Sequence, residues 1–215
     1  MCSWHRLPRI RSGHRHEWER DCARVSIMDI LAHGLWASVG AQALTKRGQP
    51  VSAQGAIAWG VAPDLVAFTP LFGFLLLGVV DGNLTWAQFA NPESLRHPSL
   101  NGHLIYPLTT LLYSLGHSAV VFAAVLAIAC WRRRRPCWEM GGWGLHILLD
   151  VPTHTHDFYP TPFLWPLSDW TVDGISWTET WMLGLNYIAI LTSWAWLATM
   201  SPSHQAQGRH GSKNR

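Results

Sequence analysis

The feature that most constrains this chain is a set of apolar runs too long for a water-soluble fold. The runs at 55–80, 105–131 and 181–199 each reach the roughly 20 residues a helix needs to cross hydrocarbon. Two shorter apolar segments, 29–45 and 138–152, accompany them. Backbone in lipid must satisfy its own N–H and C=O groups, and no strand-like alternation is long enough to suggest a barrel. The expectation is therefore all-α: an integral membrane helical bundle of four to five transmembrane or membrane-buried helices. This domain is placed at 28–200, between a basic leader, 1–27, and a basic tail, 201–215, both expected to be disordered.

Composition supports the same class. Charged residues make up 13% of the 215 residues, about half the share in an average soluble domain. The 14 Trp suit interfacial anchoring. Cys2, Cys22, Cys130 and Cys137 show no C-x-x-C spacing, which supports neither a zinc ribbon nor a disulfide framework. The net charge of +3 arises largely in the ends, so nucleic-acid binding is not indicated. The leader has no apolar core and is not a signal peptide, and Met28, directly ahead of the first apolar segment, is a candidate start.

Short cytoplasmic connections carry the excess of Lys and Arg. The tract Arg132, Arg133, Arg134 and Arg135 marks the end of the third segment as cytoplasmic, and Lys46 and Arg47 do the same for 46–54. The 81–104 loop, with only Arg96, and the 153–180 loop, with no Lys or Arg, then lie outside. A bacterial inner membrane is the expected location, and the bilayer the first partner.

Ionisable side chains in apolar segments are costly, so each needs a reason. Here they recur with a pattern. Asp29 and His33 stand at i and i+4 in the first segment, Asp64 follows Pro63 in the second, His117 lies in Gly116-His117-Ser118 of the third, and His146 and Asp150 are again i and i+4. Imidazole and carboxylate are ligands for zinc and similar ions, and helices in a bundle can aim them at one point. Plainer readings remain for each. Asp29 can cap a helix, His33 can be a satisfied helix histidine, Asp64 can cap or kink, and His146 with Asp150 can be a hydrogen-bonded pair. His154, His156 and Asp157 at the mouth of the following loop are either further ligands or solvated residues. Trp165, Trp170, Trp177 and Trp181 read as an interfacial belt.

In this order, the motifs resemble the membrane-bound metal-dependent hydrolase family of the YdjM type. That family looks like a membrane relative of zinc-dependent phospholipase C and of the single-strand nucleases sharing its helical fold. The resemblance covers roughly 29–170: His33, Pro63-Asp64, His117-Ser118, His146 with Asp150 and Thr153, and Leu164-Trp165-Pro166. The chain departs from the family pattern at Val66, where a second Asp is usual, and at Tyr113, Ser114 and Leu115, where His-Arg-Gly is usual. A single metal site, or one completed by His154 or His156, is the expectation that follows.

The function expected is metal-assisted hydrolysis. A divalent ion, zinc first, held by Asp64, His117, His146 and Asp150, with His154 as a further ligand, lowers the pKa of a water for attack on a phosphoester or similar electrophile. Asp150 is the candidate general base, and His33 the second catalytic candidate. A small-molecule or lipid substrate is implied. The alternative is a non-catalytic membrane protein whose buried His and Asp bind a cation or pass protons. Gly116-His117-Ser118-Ala119-Val120 is not a nucleophile elbow, which disfavours a serine hydrolase.

Overall fold

A computed structural model describes residues 15–89, 104–156, 160–177 and 179–200, with side chains from Ile30 onward except at 87 and 88. Its helices are α1 (Arg15–Lys46), α2 (Ala53–Val80), α3 (Trp86–Phe89), α4 (Ile105–Gly116), α5 (Ala119–Arg133), α6 (Gly141–Thr153) and α7 (Thr180–Thr199), with a 3-10 turn at Trp138–Met140 before α6. No strand occurs among the described residues. α1 begins at Arg15, so its backbone is helical through much of the stretch expected as an irregular leader. The rest of that leader, the tail 201–215 and Asp157 lie outside the described residues, as does the side chain of Asp29.

α2 is the hub, packing against α1, α4 and α6, while α7 lies along α1. Among the described residues two helices, α2 and α7, are long and apolar enough to cross a membrane, and the α4–α5 pair is a third if the bent pair is one span. Four to five expected helices thus resolve into two or three candidate crossings. α6 is the reason for part of the difference. Its 13 residues reach only about 20 Å at 1.5 Å per residue, against the roughly 30 Å of a hydrocarbon core. It is instead held inside the protein, against α1, α2 and α5.

The third apolar segment departs further from expectation. It is two helices bent by 61° at Gly116–Ala119. Ser118 is the cause visible in the chain: with extended backbone (φ −92°, ψ 120°) it caps α5, its Oγ accepting from Val121 N at 3.1 Å. Part of the 153–180 loop fills the break. Ala119 N donates to Phe163 O at 2.9 Å, and Ser118 Oγ donates to Trp165 O.

Close approach at the centre depends on two glycines. A Cβ at Gly60 would stand 2.7 Å from Ala37 Cβ and 3.1 Å from His33 O, and one at Gly142 would run into Ala56 O. Their missing side chains let α1, α2 and α6 meet backbone to backbone. Apolar clusters surround that junction. Ala32 and Val39 pack with Ile190 and Leu197 between α1 and α7, and Met140, Trp143 and Ile147 pack against α5. Outward-facing Leu65, Leu76 and Leu77 on α2 and Leu185, Ile188 and Leu191 on α7 give these helices the apolar exterior that lipid requires.

Contacts also sort the ends. Lys46 Nζ donates to Met200 O at 2.7 Å, and Ser52 N donates to Glu139 Oε1 at 3.4 Å. The 46–52 connection, the start of α6 and the end of α7 therefore share one side. Lys46, Arg47 and the Arg132–Arg135 tract flank these contacts in sequence, so the basic connections gather on that side.

Candidate metal centre

Four elements deliver side chains to one buried point. α1 supplies His33, α2 supplies Asp64, the α4–α5 break supplies His117, and α6 supplies His146 and Asp150 one turn apart on a single face. His117, His146 and Asp150 are at most 1% exposed, His33 2% and Asp64 6%.

The orientation of the two central imidazoles is set by backbone carbonyls. His117 Nδ1 lies 2.9 Å from Tyr113 O, and His146 Nδ1 lies 2.8 Å from Gly60 O. A carbonyl only accepts, so each Nδ1 carries the proton and each Nε2 in a neutral ring presents a bare lone pair. Those two Nε2 atoms face each other at 3.0 Å. Around them stand carboxylate oxygens. His117 Nε2 is 3.2 Å from Asp64 Oδ1 and 3.3 Å from Asp150 Oδ2, and His146 Nε2 is 3.7 and 3.1 Å from the same two atoms. Lone pairs and anionic oxygens aimed at one another repel unless a proton or a metal ion lies between them.

A metal ion fits this set. Ligands about 2.0–2.1 Å from a tetrahedral ion stand about 3.3 Å apart, and the separations above run from 3.0 to 3.7 Å. Asp64 Oδ2 and both Asp150 oxygens are buried without a properly formed hydrogen bond among the described residues. Two overlapping triplets, His33/Asp64/His146 and His117/His146/Asp150, each bring their ligand atoms within 4.8 Å of one another. The buried His and Asp groups can therefore bind a metal ion, and the carbonyl-anchored imidazoles are the arrangement metal-ligating histidines adopt.

Asp150 joins this centre to a second pair of residues. Its Oδ1 lies 2.9 Å from His33 Nε2 and 3.7 Å from His154 Nδ1. The His33 ring also packs on His146, with centroids 4.0 Å apart. The six residues singled out from the sequence as catalytic or metal-binding candidates, His33, Asp64, His117, His146, Asp150 and His154, are thus gathered together. His154, however, is as close to the Asp150 backbone carbonyl, 3.3 Å from Nδ1, as to any oxygen of the cluster. His156 points elsewhere, with Nε2 3.1 Å from Thr171 Oγ1 and Nδ1 3.8 Å from Asp173.

The two departures from the family pattern have structural counterparts. Val66 is 56% exposed and lines an apolar cleft with Leu115, a lining that includes none of the cluster's His or Asp side chains. Tyr113 is buried and stacks on His117 with centroids 3.8 Å apart, so it supports a ligand instead of supplying one. Sequence reasoning missed three contributors: Tyr113 O, Gly60 O and Trp177. Backbone acceptors leave no trace in residue type. By sequence Trp177 reads as part of the interfacial belt, but it is 5% exposed, its ring perpendicular to that of His33 at 6.2 Å, whereas Trp170 and Trp181 are exposed as a belt requires.

Comparisons with protein-family models, with curated proteins and with solved structures give no match.

Proposed function

We propose that this chain is a membrane-embedded, metal-dependent hydrolase of a bacterial inner membrane. In this reading Asp64, His117, His146 and Asp150 hold a divalent ion, zinc first, and the substrate is a phosphoester, lipid or lipid-linked. The observation that carries the proposal is the pair of Nε2 atoms 3.0 Å apart with both Nδ1 atoms committed to carbonyls. The resemblance to the YdjM-type family and the setting among apolar helices support the substrate class.

When bound, such an ion supplies Lewis acidity and lowers the pKa of a water in its reach. The chain's own residues do the rest. Asp150 turns one oxygen to the ligand nitrogens and the other to His33, whose Nε2 is positioned to take up and return a proton. Tyr113 and Gly60 carbonyls keep the imidazoles in the ligating tautomer.

One observation favours a second reading, in which the protein binds a cation without catalysis. The ligand set is almost fully enclosed, and a four-ligand site with no open position is structural. Metal content per chain of detergent-purified protein, compared with a His146→Ala/Asp150→Ala variant, tests both. About one ion per chain, lost in the variant, together with hydrolysis of phosphoesters, supports the hydrolase. Bound metal with no hydrolysis favours the second reading, and no metal in either protein sinks both.

A further inference from the structure

The 160–177 loop is anchored beside the cluster at two places. Near one, Gly174 N donates to His154 O at 2.8 Å and Ile175 N to Pro152 O at 2.9 Å; near the other, Ala119 N donates to Phe163 O at 2.9 Å. Each anchor sits close in sequence to a buried donor with no acceptor among the described residues: Trp177 Nε1, on a residue 5% exposed, and Thr161 Oγ1, on a residue 1% exposed. A buried N–H without a partner is rare because it has given up water for nothing. The indole is donor-only, so what it awaits is an acceptor.

Trp177 also has a defined neighbour. Its ring stands perpendicular to His33, centroids 6.2 Å apart, and His33 Nε2 is 2.9 Å from Asp150. The unsatisfied donor is thus one residue removed from the unsatisfied carboxylate oxygens. A cation meets the need of the oxygens, and an anion carrying several oxygens meets the need of the indole.

We propose that Trp177 is a substrate-binding residue whose Nε1–H donates to an anionic oxygen of a phosphoryl group held at the His/Asp cluster, making the 160–177 loop one wall of the binding site. The class of ligand rests on the hydrolase reading, while the donor and its burial do not. Trp177 would act by binding, since an indole neither gains nor loses a proton at ordinary pH.

The test uses full-length, ¹⁵N-Trp-labelled protein in detergent, with inorganic phosphate as the probe. The indole resonance absent from Trp177→Phe belongs to Trp177. It is expected to move downfield and saturate as phosphate is added. Trp177→Phe should bind phosphate about tenfold more weakly or worse, since a hydrogen bond to a charged acceptor is worth that much. Its metal content should be unchanged. Trp170→Phe, on the exposed part of the same loop, should bind as the unsubstituted protein does. A stationary Trp177 resonance while phosphate binds, or Trp177→Phe binding phosphate undiminished, overturns the proposal. Saturable movement in protein that holds no metal upholds the Trp177 donor and removes the metal centre instead. No phosphate binding under any condition overturns the Trp177 assignment whatever the metal content.

Discussion

His117 and His146 meet through their Nε2 atoms at 3.0 Å while their Nδ1 atoms are bound to backbone carbonyls on two different helices. The pair is therefore poised for a cation by the backbone itself. With neither a metal ion nor a proton between them, the two Nε2 atoms and the Asp64 and Asp150 oxygens present lone pairs to one another, which opposes the close packing around them.

Binding a divalent ion should consequently stabilise the fold. At a free concentration 1,000 times the dissociation constant the gain is about 4 kcal/mol, which corresponds to a rise in Tm of about 10 °C for a domain of this size. Thermal denaturation in detergent, with chelator and then with added zinc or manganese, measures it. An unchanged Tm across metals would remove the ion from the account of the cluster.

Gly60 connects that centre to helix packing. Its carbonyl orients His146, and a Cβ there would meet Ala37 Cβ at 2.7 Å and His33 O at 3.1 Å. Gly60→Ala should cost about 1–3 kcal/mol through overpacking. Displacement of the carbonyl should also weaken metal binding about 10- to 100-fold, as loss of an outer partner of a ligating histidine does. Metal titration and thermal denaturation of the same variant separate the two effects, and normal metal affinity would show that Gly60 O is not needed.

How far the site could be read from the sequence follows from what burial costs. Asp64, His117, His146 and Asp150 stood out because an ionisable group in an apolar run demands a partner, and they do converge. The contact of His33 with Asp150 was not legible, because it exists only once α1 and α6 meet. The break at Ser118 was hidden because hydropathy averages over residues and a single cap does not lower it. Trp177 was misplaced in the belt because a buried and an interfacial tryptophan have the same letter.

Ser118 performs two tasks at that break, capping α5 through Val121 N and holding the loop through Trp165 O. Ser118→Ala removes both. The lost cap alone costs about 1 kcal/mol, and the lost loop contact about as much again. Limited proteolysis should show earlier cleavage within 160–177 in the variant, with the helical circular dichroism unchanged. Equal cleavage rates would mean that the Ala119–Phe163 bond suffices to hold the loop.

Cys137 reports on the side of the molecule where the basic residues gather. It is 5% exposed, packed with Met140, Trp143 and Cys130. Burial pushes its thiol up from the ordinary value, and the neighbouring Cys130 thiol adds to this, with Arg133 opposing. A thiol whose folded pKa exceeds its unfolded one favours the folded state while protonated. That contribution is full below the ordinary thiol range and is lost as pH rises through the folded pKa. Two outcomes follow for purified protein as pH is raised from neutral. Alkylation of Cys137, followed by peptide mass analysis, should be slower than for a model thiol and should accelerate only above the ordinary thiol range, because the thiolate is the reacting form. In Cys137→Ala, the part of the stability loss on raising pH that belongs to this thiol should disappear. Rapid neutral-pH alkylation in the folded protein would show that the 137–143 packing against α5 opens, and with it the entry to α6 that carries His146 and Asp150.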